Sequence, residues 1–238
     1  MARTSLASTR SAAVTRIAIV LAMLLPAPAL AVSLADLSNQ DAVGGLKQAL
    51  TQGAEYAVKN LGAKDGFLGN PKVAIPLPGY LQKGEGMLRM MGMGARMDEL
   101  KVTMNRAAEA AVVEAKPILT SAVKQMSVQD AKGILTGGDT AATEYFRRTT
   151  ADQIAAKFAP IVKKYTDSLG VSAQYNQLAA PAAQFGLVDP QQSSIDGYVT
   201  QKALDGLFLM VAEQERAIRK DPVGQSSKLL QKVFGAVK

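Results

Sequence analysis

A chain of 238 residues, 48% of them hydrophobic and 20% charged, is long enough to bury a core of its own. It contains neither cysteine nor histidine, which excludes disulfides, thiolate nucleophiles, the usual zinc sites and imidazole acid–base chemistry. The formal net charge of +7 includes Arg3, Arg10 and Arg16 at the N-terminus. The excess that is left is too thinly spread for the dense basic stripe of a nucleic-acid-binding protein.

Those arginines open a recognisable leader. Ile17 to Leu25 is a short apolar run, Pro26 and Pro28 break it, and Ala29 and Ala31 place small residues where a signal peptidase reads them. The run is well short of the ~20 residues that a spanning helix needs. Residues 1–31 are therefore expected to be a signal peptide cut after Ala31, and 32–238 a single all-helical domain. No cysteine is present for a lipid anchor. The expected location is periplasmic or secreted, with no transmembrane anchor after cleavage.

Helical signals then follow one another. Ser38 and Asn39 are cap candidates for a helix whose apolar face is Val43, Leu46, Leu50, Ala54, Ala57, Val58 and Leu61. Gly62 stands where a left-handed C-terminal cap is expected. The glycines and prolines of Gly62 to Gly79 forbid a long helix, so this segment reads as a long ordered loop, with Val73-Ala74-Ile75 a possible lone extended piece. Tyr80 to Met91 is predicted helical. Gly92 and Gly94 mark a turn, and a helix from Ala95 carries Met97, Leu100, Met104, Ala107, Ala108 and Ala111 until Pro117 ends or kinks it.

Ser127-Val128-Gln129-Asp130 reads as a capping box with Asp in place of Glu. It opens a short helix that ends at Gly137-Gly138. Asp139 or Thr140 caps a helix carrying Tyr145 to Arg148. A separate one is predicted over Ala151 to Ser168, disturbed at Pro160 and ended by Gly170, and another from Ser172 to Phe185. Tyr198 to Arg219 is the strongest element, and Leu207 to Ala212 is apolar on every side, the mark of a helix buried all round. A last helix is predicted from Ser226 or Ser227 to Phe234. The fold expectation is an all-α, single-domain helical bundle packed around the helix near residues 198–219.

Several segments also resemble the bacterial family catalogued as domain of unknown function 4197. They are LSNQDAVGGLKQALTQGA from Leu37, GFLGNPKVAIPLPG from Gly66, MNRAAEAA from Met104, QMSVQDAKGILTGGDTAATEYFRRTT from Gln125 and YVTQKALDGLFLMVAEQERAIRKDP from Tyr198. The resemblance spans nearly all of Leu37 to Phe234. It implies an exported, helical, bacterial protein and transfers no catalytic residues, since the family defines none.

Three sets of residues carry possible chemistry. Asp139 and Thr140 follow a Gly-Gly pair at a helix start, where free N–H groups attract anions, and Arg147 and Arg148 could add bidentate contacts. The ordinary alternative is a capped helix with solvated arginines. Asp205, one turn before the apolar stretch, should be paired by Lys202 or an arginine, or shifted by burial. Glu109 and Glu114, and Glu213 and Glu215, are spaced so that neither pair shares a helical face. Met90, Met93 and Met97 would share a face if the helix survived Gly92 and Gly94, and thioethers suit cuprous copper; the alternative is core filling.

The leading expectation is a non-enzymatic envelope protein, with no cofactor, that binds a protein partner or a small apolar ligand between helices. The long loop at Gly62 to Gly79 could close over such a site. The alternatives are a carboxylate- and arginine-based enzyme acting on a cell-envelope substrate, and methionine-based copper binding.

Overall fold

A computed structural model describes residues 39–168, 170, 172–173 and 194–221. The leader, Ser38, the helix predicted toward Phe185 beyond residue 173 and the last predicted helix lie outside the described residues. The described chain is helical, and no strand occurs in it. Its helices are α1 (Asn39–Leu61), α2 (Gly79–Met90), α3 (Gly94–Val112), α4 (Ala115–Gln125), α5 (Val128–Thr136), α6 (Ala141–Asp167) and α7 (Ile195–Lys220). None of them is long and apolar enough to cross a membrane.

Helix α7 lies at the centre, packed against α1, α3 and α6, while α4 bridges α1 and α6. Its inward face is Val199, Ala203, Leu207, Phe208 and Val211, all buried. The expectation that Leu207 to Ala212 is covered on every side fails at Leu209, which is 38% exposed. At helical spacing Leu209 falls in line with Asp205, Glu213 and Arg216, on the side that α1, α3 and α6 leave open.

Helix α1 buries the stripe its sequence predicts, from Leu46 to Leu61. Gly62 is not left-handed, however; positive φ occurs at Asp65, Gly92 and Gly170 among the described residues. Gly62 continues the helical ladder, its N–H donating to the Val58 carbonyl at 2.8 Å. The physical need there is close approach: an added Cβ would stand 3.2 Å from Val113 Cγ1.

The loop between α1 and α2 is ordered because it carries its own core residues and because α3 holds its backbone. Phe67, Val73, Ile75 and Leu77 are buried, and burial of one such side chain contributes about 1.5–3 kcal/mol. Asn105 accepts from the Ile75 N–H at 2.8 Å and donates to the Ile75 carbonyl at 2.9 Å. One carboxamide thus does for Val73–Ile75 what a neighbouring strand would do. One turn later, the Glu109 carboxylate accepts from the N–H groups of Phe67 and Leu68 at 3.1 and 3.2 Å, and Arg106 bridges Glu109 and Asp65. The loop also reaches α7. Tyr198 donates to the Pro76 carbonyl at 3.1 Å, and a Cβ on Gly206 would lie 2.7 Å from the Phe67 ring. With its apolar residues seated in this way, the loop serves as a wall of the core.

Pro117 falls in the first turn of α4, where no intrahelical N–H is required. The box at Ser127 forms as predicted: Ser127 Oγ accepts from the Asp130 N–H at 3.1 Å, and Asp130 accepts from the Ser127 N–H at 3.1 Å. The two helices predicted around Ala151 are one, α6, running through Pro160. Thr149 and Thr150 stand between the two predicted stretches, but their hydroxyls donate back to the carbonyls of Tyr145 and Phe146, so the helix passes through them. Pro160 and Ala156 are both exposed, so water can hydrate the carbonyl that the proline leaves free.

Candidate binding groove

Antiparallel packing of α6 and α7 leaves a groove of about 500 Å³ on their outer side, within the range of small-molecule sites. Its α6 wall is Ala151, Ala155 and Ala159, one helical turn apart, and its α7 wall includes Gly197, Thr200 and Leu204. The groove exists because methyl groups stand where longer side chains would fill the gap between two helix cylinders. One end is closed by Arg147, which pairs with Asp205 at 3.5 Å and lies 4.8 Å from the centre of the Phe208 ring. The other end is set by Asp196, which accepts from Thr166, and by Ser194, whose hydroxyl oxygen caps α7 by accepting from the Gly197 N–H at 3.0 Å.

Thr200 distinguishes this groove from a mere surface furrow. Several threonines elsewhere in these helices donate to the carbonyl one turn back: Thr51 to Lys47, Thr136 to Lys132, Thr149 to Tyr145 and Thr150 to Phe146. The Thr200 hydroxyl makes no such bond. It is the one buried side-chain polar atom among the described residues with no hydrogen-bond partner, and its residue is 9% exposed. A buried hydroxyl without a partner costs about 1–3 kcal/mol, and the residue that carries it, Thr200, lines the groove.

The residues proposed from sequence are not gathered in one place. Asp139 is exposed, and Thr140 precedes α6 without a capping bond, its hydroxyl instead donating to Glu144 at 3.2 Å. The N–H groups of Ala142 and Thr143 at that helix start both donate to the buried carboxylate of Glu215 on α7, at 2.9 Å each. An internal anion thus occupies the position expected for a bound one. Arg147 and Arg148 diverge: Arg147 turns to Asp205 and the groove, while Arg148 lies 5.8 Å from the centre of the Tyr145 ring, beside a second depression of about 360 Å³ between α5 and α6. Asp205 is half-exposed, held by Arg147 and by Gln201, which donates to it at 3.1 Å. Met90, Met93 and Met97 do not share a helical face, because Gly92, at φ 79°, separates α2 from α3. Met97 is buried and Met90 exposed.

Two carboxylates that sequence spacing sets aside are the ones the structure buries, Glu109 and Glu215. Each accepts a pair of backbone N–H groups and each pairs with an arginine of its own helix, Arg106 or Arg219. The available signal is that charge pairing at i,i+3 and i,i+4 beside an apolar face. Groups of three or more acidic, histidine or cysteine side chains placed to hold a metal ion do not occur among the described residues.

A family model described as a protein of unknown function, DUF4197, matches residues 36–235, and the chain belongs to that family. No curated protein and no solved structure matches.

Proposed function

We propose that this DUF4197 protein is an exported envelope protein and a non-enzymatic binding module that holds an apolar ligand in the α6–α7 groove. The observation that carries the reading is the buried, unpartnered hydroxyl of Thr200, a residue in the wall of a groove whose floor is alanine, glycine and leucine and whose rim carries Arg147, Asp152, Asp196 and Gln201. A mostly hydrocarbon ligand with one polar group partway along it would cover the methyl groups and pair with that hydroxyl. Arg147, half-exposed and only loosely held by Asp205, is free to meet an anionic end. Export rests on the leader pattern of Arg3 to Ala31.

The test is a titration with the apolar fluorophore N-phenyl-1-naphthylamine, comparing the unmodified protein with Ala155→Trp. The indole fills the groove from its α6 wall. Saturable binding that Ala155→Trp abolishes, with helicity unchanged, is the expected result. Equal binding by both proteins, or none by the unmodified one, would remove the groove from consideration.

A further inference from the structure

Five of the chain's ten methionines fall between Met87 and Met97, at the junction of α2 and α3. Methionine's ordinary role is to fill irregular gaps in a core. Met97 and Met104 do so, at 4% and 0% exposure. Met90, Met91 and Met87 do the opposite: at 85%, 68% and 62% they are the most open large apolar side chains among the described residues. Core filling therefore does not account for them.

Their placement is specific. Positions 87, 90 and 91 stand at i, i+3 and i+4 in and just after the last turn of α2, so Met87 neighbours both Met90 and Met91, with Cβ atoms about 5–6 Å apart in each pair. The turn behind them is fixed by two backbone bonds, Met93 N–H to the Leu88 carbonyl at 2.9 Å and Gly92 N–H to the Arg89 carbonyl at 3.0 Å. With Gly92 left-handed, this is a Schellman termination, and it folds Met93 back onto the same turn. Arg89 does not add an uncompensated cation. It is bound by Glu85 and by Asp98 at 2.8 and 2.5 Å, and the second bond also braces α2 against α3.

We propose that Met87, Met90 and Met91 form a thioether site for cuprous copper. Thioether sulfur is a soft donor that selects Cu(I) over harder cations. In a chain without cysteine or histidine, methionine supplies the only soft donors, and these are its most exposed ones among the described residues. Three unbranched side chains placed in this way can close around a single ion with little movement of the backbone. The site differs from the face expected at Met90, Met93 and Met97, which the break at Gly92 prevents. It is independent of the groove.

The purified protein would be titrated with Cu(I), kept reduced with ascorbate, against the chromophoric chelator bicinchoninate. One copper per chain is expected. The Met87→Leu/Met90→Leu/Met91→Leu variant keeps apolar bulk and helix propensity and removes only sulfur; it should bind at least about tenfold more weakly. A second measurement on the unmodified protein guards against misfolding of the variant. Silver(I), a redox-inert stand-in, should shift the ε-methyl NMR signals of Met87, Met90 and Met91 and leave Met97 and Met104 in place. Equal copper affinity in the leucine variant, failure to compete with bicinchoninate, or silver shifts centred on other methionines would each overturn the proposal. Unaltered affinity in the variant would place the copper on other donors.

Discussion

Replacing Thr200 by valine separates a ligand-facing hydroxyl from a structural one. The two side chains have nearly the same shape and the same β-branching, so the change exchanges a hydroxyl for a methyl without opening a cavity. In the free protein the hydroxyl is buried and has no partner among the described residues, an arrangement that costs about 1–3 kcal/mol. Thr200→Val should therefore stabilise the free protein by about 1 kcal/mol. For a chain of this size that raises Tm by about 2–4 °C. Ligand binding should move the other way. If the hydroxyl meets a polar group of the bound ligand, its loss weakens binding by about 1 kcal/mol, or roughly fivefold. Thr150→Val is the control, because that hydroxyl is also buried but donates to the Phe146 carbonyl at 2.6 Å. Its loss should destabilise by about 1 kcal/mol. Urea unfolding followed by circular dichroism measures both variants. If Thr200→Val is destabilised as much as Thr150→Val, the hydroxyl has a partner in the free protein and the argument from it fails.

Other predictions follow from the buried carboxylate, the loop clamp and the capping box. Glu215→Ala removes the acceptor for Ala142, Thr143 and Arg219 together; it should cost about 3–5 kcal/mol in urea unfolding. A cost below 1 kcal/mol would mean that Glu215 is solvated in solution. Asn105→Leu leaves the Ile75 N–H and carbonyl without their partner. Stability should fall by about 2–4 kcal/mol, and amide exchange of Ile75 should accelerate ahead of that of α7; unchanged exchange at Ile75 would contradict the clamp. The Ser127 hydroxyl and N–H both donate to Asp130 and hold its carboxyl below the usual carboxylate range. With the folded value depressed, the box contributes its stability above the unfolded value of about 3.9 and loses it as pH falls through the folded one. A carboxyl NMR titration should show this depression, and Ser127→Ala should return Asp130 toward the ordinary value; no change in that variant would refute the assignment.

The parts of the fold legible in the sequence were those written in local periodicity and capping chemistry. The stripe of α1, the central place of α7 and the Ser127–Asp130 box all rest on neighbours three or four residues apart. Readings that depended on tertiary partners went differently. Gly62 matched a left-handed cap, but its constraint comes from Val113 packed beside it. The stretches up to Arg148 and from Ala151 matched two helices, but back-bonded hydroxyls of Thr149 and Thr150 carry α6 through the junction. Leu209 sits in an all-apolar run, yet no neighbour among the described helices covers its side. The start of α6 has the sequence of an anion site, and the anion it holds comes from Glu215, more than seventy residues away. Nothing local in α7 marks Glu215 as that cap, because its two N–H partners belong to another helix. The groove was equally silent, since alanines at helical spacing read as good helix formers rather than as missing bulk.

The most direct test of the central claim is native mass spectrometry of the protein purified from its own host envelope, set against its denatured mass. The account predicts an excess matching one organic ligand, absent from the Ala155→Trp variant prepared in the same way. A native mass equal to the denatured mass, or an excess that Ala155→Trp retains, would contradict a ligand held between α6 and α7.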